Sequence, residues 1–223
     1  MTSNHPASTR RPYSSPSREA SAALTRRRIV DAAAKLFVDS GYVATSVRSI
    51  AQAAGVAEKT VYLQFETKPT ILKAVVDSAI VGSEPDVPAS KSQWFLEVLA
   101  QSRLDRKVEL LVEGTSALHE RTGPVFAVAR EAASVDPAVA ALWSRGKRRH
   151  LADMTVIAQS FAEHGLIPSH LGVGWAAELL YVLLGPENWH LIRRELDRDE
   201  HHYRHWLRTT LAQALGEAGP PTH

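Results

Sequence analysis

Thr45–Lys68, TSVRSIAQAAGVAEKTVYLQFETK, carries two short apolar patterns separated by one glycine. Val47, Ile50, Ala51 and Ala54 fall on one helical face. Gly55 then stands where a helix ends in a left-handed residue, which glycine adopts at least cost. Val56, Val61 and Phe65 restart the pattern. Two helices joined by a three- or four-residue turn containing glycine form the helix-turn-helix pattern, whose second helix enters the DNA major groove. Ala51 suits a close crossing of the two helices. The same spacing also fits a plain helical hairpin in a bundle, so the flanks decide.

Upstream, Arg26–Val43 (RRRIVDAAAKLFVDSGYV) reads as a basic-headed amphipathic helix with Ile29, Ala33, Leu36 and Phe37 inward, stopped at Gly41. Thr25 is its expected N-cap. Cations at a helix N-terminus oppose the macrodipole, and nearby phosphates would relieve that penalty, so Arg28 is expected on a DNA backbone. Thr45 is expected to cap the second helix and offer its terminus to phosphate, with Arg48 beside it. The third helix, 57–64, turns Glu58, Lys59, Thr60, Leu63 and Gln64 outward; Lys59 suits guanine acceptors and Gln64 adenine. Downstream, Thr67 and Pro69 open a fourth helix.

This segment resembles the TetR/AcrR family of transcriptional regulators. The resemblance rests on the LF…GY end of the first helix, Thr45 through Ala51, Ala54-Gly55-Val56, Thr60-Val61-Tyr62, Phe65 and Lys68. It implies phosphate contacts from Thr60, Tyr62 and Lys68. Ala57 stands where the family usually has a capping serine, and Gln64 where it often has tyrosine. The resemblance also implies an all-α fold: a three-helix helix-turn-helix DNA-binding domain, then a helical bundle for ligand binding and dimerisation.

Composition agrees. With 44% hydrophobic and 22% charged residues and no cysteine, the chain reads as a globular protein without disulfides or thiolate chemistry. No apolar run approaches the roughly 20 residues of a membrane span, and residues 1–24 lack the hydrophobic centre of a secretory signal, so a cytoplasmic protein with no membrane partner is expected. Residues 1–70 hold ten Lys/Arg against five Asp/Glu, and residues 71–223 sixteen against nineteen, beneath a net charge of +2. A basic N-terminal part suits a polyanion partner.

Four segments are expected: a disordered basic tail (1–24), the DNA-binding domain (25–68), a helical ligand-binding and dimerisation domain (69–217), and a short tail (218–223). Gly82–Pro88 reads as a loop. Gly123-Pro124 is expected to break one helix, and Asp136-Pro137 to open a long one. Trp94, Phe126, Trp143, Phe161, Trp175, Glu178 and Tyr181 are the candidates for lining a mostly apolar ligand. The stretch 175–189 with Tyr203–Leu207 resembles C-terminal halves of the same family, which implies a four-helix dimer interface through Ala177, Leu180, Leu183, Leu184, Leu207, Leu211 and Leu215. His201 and His205 have a ligand spacing on one helical face, but the charged sequence around them reads as solvated, so no metal or other cofactor is expected. No phosphate loop, nucleophile elbow or paired-carboxylate motif suggests an enzyme. The expectation is a homodimeric regulator, a repressor binding a near-palindromic DNA operator and released by a small molecule. The rival is an all-α scaffold without DNA readout.

Overall fold

A computed structural model describes residues 16–82, 92–168 and 171–216. The tail before residue 16, residues 83–88 of the expected loop and the 218–223 tail lie outside them. The described residues are helical, without a strand. The order is α1 (Pro16–Ala44), α2 (Val47–Ala54), α3 (Glu58–Phe65), α4 (Lys68–Val81), α5 (Gln93–Ala100), α6 (Leu104–Ala133), α7 (Pro137–Glu163), α8 (Val173–Leu183), α9 (Pro186–His190) and α10 (Glu200–Gly216), with a π-helical turn at Leu191–Glu195.

Two expectations fail on helix ends. Residues 16–24, expected in a disordered tail, are the first turns of α1. Their Ser and Arg content suggested disorder, yet Glu19, Ala20, Ala22, Ala23 and Leu24 are adequate helix formers, and continuity with Ile29 and Val30 anchors them. Gly41 does interrupt α1, at φ 78° and ψ 165°. Gly123-Pro124 does not end α6, which runs unbroken through it. Proline costs the helix its own N–H bond, but burial on both sides of the break offsets that loss.

There are two cores. The first joins Ile29 and Phe37 of α1, Ile50, Val61 and Phe65 of α2 and α3, and Ile71, Leu72 and Val75 of α4. It also takes Val125, Val128, Ala129 and Ala132 of α6, with Val139 of α7. The second joins the first half of α6 (Val108, Leu111, Val112) to Phe95, Ile157, Phe161, Trp189 and Tyr203. Thus α6 is one rod with an end in each core.

The residues expected between subunits belong to this second core. Ala177, Leu180, Leu183, Leu184, Leu207, Leu211 and Leu215 are all buried inside the single chain. Their apolar stripe is used up because α8 packs along α7 and α10 along α6. The outward apolar side chains of this region are instead Trp175 (39% exposed) and Val182 (59%) on α8, with Leu151 and Val156 on α7.

Packing against α6 is tight at two glycines. A Cβ on Gly114 would lie 1.8 Å from Trp94 Nε1, whose N–H donates to the Leu110 carbonyl at 2.7 Å. In a free helix Gly→Ala gains about 1 kcal/mol. Here Gly114→Ala is expected to lose about 1–3 kcal/mol through overpacking, measured by urea unfolding. A gain would mean that Trp94 does not sit there.

Lys107 is fully buried, its ammonium 4.7 Å above the Phe161 ring and 3.3 Å from His164 Nδ1. Burial pushes its pKa from 10.5 down to about 8, against the pull of Glu163. Between those values the unfolded chain binds the extra proton, so stability should rise with pH across that window. Lys107→Met is expected to remove that rise and stabilise the protein by about 1–3 kcal/mol at pH 7. Urea midpoints at pH 7 and 9.5 for both proteins measure this.

Candidate nucleic-acid interface

The turn between α2 and α3 is built from backbone bonds. Gly55 is left-handed at φ 64°, ψ 40°. Its N–H bonds the Gln52 carbonyl (3.1 Å) and the Val56 N–H bonds Ala51 (3.0 Å), closing α2 with the paired bonds that a left-handed glycine permits. At the other end Ser46, not Thr45, is the N-cap: its Oγ accepts from Ser49 N at 3.0 Å and Ser49 answers with a reciprocal bond. The spacing Ser46-x-x-Ser49 was the overlooked signal. Ala57 caps α3 without a side-chain hydrogen bond.

Three residues expected on DNA are committed elsewhere. Thr45 is 2% exposed, and its hydroxyl faces the Gly41 and Leu36 carbonyls at 2.8 and 3.1 Å, closing α1. The Lys68 ammonium donates to the Tyr42 and Thr45 carbonyls (2.9 and 3.1 Å) and lies 4.1 Å over the Tyr42 ring. Burial lowers its pKa, opposed by Asp136. Arg28 donates to the Ala54 carbonyl at 2.5 Å, and a Cβ on Gly55 would meet the same nitrogen at 2.8 Å.

Arg26 follows the same logic, donating to the Gln64 carbonyl (3.1 Å) with its guanidinium 4.2 Å above Phe65. Because α1 begins at residue 16, these arginines are not at its N-terminus. Arg26 and Arg28 instead reach the C-terminal ends of α3 and α2, where cations complement the dipole. Their sequence neighbourhood suggested the opposite sign.

Other expected residues do face outward. Arg48 on the first turn of α2, and Glu58, Lys59, Tyr62 and Leu63 on α3, are exposed; Thr60 and Gln64 are half-buried. Exposed Gln52 on α2 borders the same face and was missed, because nothing in its sequence context marks it. Leu63 is 75% exposed.

A second contact ties this head to the rest. Tyr42 Oη donates to Asp136 Oδ2 at 2.7 Å, and Asp136 also caps α7 through Ala138 N. The Tyr42 bond holds the Asp136 carboxyl below its usual range, and burial followed by Asp136 pushes the phenol up.

The seven side chains expected around a ligand do not enclose one space. Phe126 and Trp143 stack edge to face (5.9 Å) in a groove of α6, α7 and α9 with room for about one water, about 10 Å³. Trp94 covers Gly114, Phe161 lies under Lys107, and Tyr181 faces His150 at 5.0 Å. Trp175 and Glu178 are exposed on α8.

Lys68→Met is expected to cost about 1.5–3 kcal/mol without any DNA present, and Tyr42→Phe about 1 kcal/mol. Because both act at Tyr42, the double variant should lose less than the sum of the two. Denaturant unfolding of the four proteins tests this, and strict additivity would separate the two contacts.

Residues 29–75 match the model for bacterial regulatory proteins of the tetR family. Over 96 residues the chain is 34% identical to YvkB of Bacillus subtilis (strain 168), an uncharacterised HTH-type transcriptional regulator. That match covers 43% of this chain and 44% of YvkB, so the chain spans less than half the length of that relative. Two solved structures share the fold over nearly their full length. One is a protein from Mesorhizobium loti MAFF303099 described as a TetR-family transcriptional regulator (22% identity, TM-score 0.66, 87% of this chain and 96% of that one). The other is NalD, the secondary repressor of the MexAB-OprM multidrug efflux pump in Pseudomonas aeruginosa (20%, TM-score 0.66, 87% and 98%). Residues 29–75 thus carry a helix-turn-helix that matches the tetR-family model, and the helical fold behind it is shared with these solved structures.

Proposed function

We propose that the protein is a homodimeric repressor that binds a near-palindromic operator through α3 and leaves it when a small molecule occupies its C-terminal helices. The observation that carries this is the exposure of Arg48 on α2 and of Glu58, Lys59, Tyr62 and Leu63 on α3. In that reading Lys59 and Gln64 meet base edges. Arg48, Thr60 and Tyr62 touch phosphate, and Glu58 and Leu63 lie against the groove wall. Thr45, Lys68 and Arg28 act indirectly, by fixing the ends of α1 and α2 on which that face depends.

Dimerisation is assigned to the outer face of α7 and α8. These helices run antiparallel with His150 against Tyr181. That register sets Leu151 near the Val182 end and Val156 toward Trp175, an apolar strip suited to a second copy. Val182→Glu should give folded monomers in sedimentation and abolish operator binding. Leu183→Glu, buried in its own subunit, should unfold the bundle instead.

A gel shift on the protein's own upstream DNA tests the readout. Lys59→Ala should weaken specific binding by about 1–3 kcal/mol and spare random DNA, whereas Arg48→Ala should weaken both and flatten the salt dependence. Absence of any preference for upstream over random DNA would favour a helical interaction protein. An effector acts only through its preference for one conformation, so operator DNA must lower the effector's affinity by the same factor.

A further inference from the structure

Leu63 lies most directly opposite the side on which α3 is seated. Val61 and Phe65 bury that helix in the first core. At about 100° per residue, Leu63 stands about 160° round the helix from each of them. It is 75% exposed. A surface helix ordinarily carries polar side chains opposite its buried stripe. Here that position is aliphatic, with exposed Tyr62 beside it.

The turn that presents Leu63 is fixed from behind. Arg26 donates to the Gln64 carbonyl at 3.1 Å and lies 4.2 Å over the Phe65 ring. The Thr70 hydroxyl donates to the Phe65 carbonyl. Leucine loses less rotamer freedom on contact than the long charged side chains do. A surface this well set can discriminate on the scale of a single methyl group.

Lys59, four residues earlier, is exposed on the same outward side. Four residues span about 6 Å along a helix, less than two base-pair steps of about 3.4 Å. The two side chains differ in what they can meet. An ammonium suits the O6 and N7 acceptors of guanine, whereas leucine neither donates nor accepts. Against cytosine, adenine or guanine in the major groove, leucine would cover an amino group or an acceptor without answering it. Thymine alone presents an apolar group there, its C5 methyl.

We propose that Leu63 reads the C5 methyl of a thymine lying within about two base pairs of the guanine met by Lys59. Each half-site then carries a thymine and a guanine at that spacing. This rests on the reading of the protein as an operator-binding regulator.

The test first selects, from a randomised pool, the duplexes that the full-length protein binds. In the selected duplex each thymine is replaced in turn by deoxyuridine, which removes the methyl and keeps the base pair. Each guanine is likewise replaced by 7-deazaguanine, which removes N7. Binding is read by fluorescence anisotropy at one salt concentration. For the wild type, one deoxyuridine position per half-site is expected to weaken binding about three- to fivefold, the worth of one buried methyl. A 7-deazaguanine within about two base pairs of it should weaken binding as well. Leu63→Ala should bind the thymine and deoxyuridine duplexes equally and keep its sensitivity to 7-deazaguanine. Lys59→Ala should show the reverse pattern. Leu63→Met, which keeps an apolar contact, should retain the methyl effect. The proposal is overturned if no deoxyuridine weakens the wild type, if Leu63→Ala suffers the same deoxyuridine loss, or if the sensitive thymine and guanine lie further apart. A preferred sequence without any methyl effect overturns this inference alone. A pool from which no preferred sequence emerges overturns the operator-binding reading itself.

Discussion

Val125, Val128, Ala129 and Ala132 of α6 fill the same apolar core as Phe37, Ile71 and Val75 of the head. Burying each valine contributes about 1.5–3 kcal/mol, so this contact alone is comparable with a sizeable part of a domain's net stability. It follows that α4 is the covalent link between head and bundle but not the sole mechanical one. The head rests on α6, and Tyr42 adds a hydrogen bond to the residue that caps α7. The head and the helices behind it are therefore joined by packing as well as by the chain.

The other end of α6 imposes a different constraint. Along α6, Val108, Leu111 and Val112 give way to small and polar residues (Gly114, Ser116, His119, Thr122, Gly123). The glycines admit two tryptophans at distances that no Cβ would allow. Close packing and buried polarity thus meet on one helix. Lys107, His119 and the Trp189 N–H are tolerated there at a cost that a purely apolar core would not carry. Such local penalties concentrate where a protein must bind or move.

In the head, three cations close helix ends. Arg26, Arg28 and Lys68 all donate to main-chain carbonyls at helix ends. A cation used in this way rigidifies the helix end that it closes. Arg48 and Lys59 remain exposed on the outer face.

The sequence alone determined the helix-turn-helix and the ends of most helices. Gly55, Thr67, Asp136-Pro137 and the 3.6-residue apolar spacing are local instructions, legible without knowing what packs where. It also determined the all-α class. What it could not decide was destination. Leu180, Leu183, Leu207 and Leu211 present an apolar stripe that suits another helix of the same chain as well as one of a second subunit; the pairing of α8 with α7 and of α10 with α6 put it inside. Arg28 and Lys68 carry the same charge whether they meet a phosphate or a carbonyl, and only the packing of α1 beside the end of α2, and of the start of α4 beside the end of α1, brought each to a carbonyl. Gly123-Pro124 reads as a break because proline forfeits a hydrogen bond, yet burial at both ends of α6 outweighs that loss. Periodicity is a property of one segment, whereas partner choice depends on residues tens of positions away, so only the tertiary structure decided it.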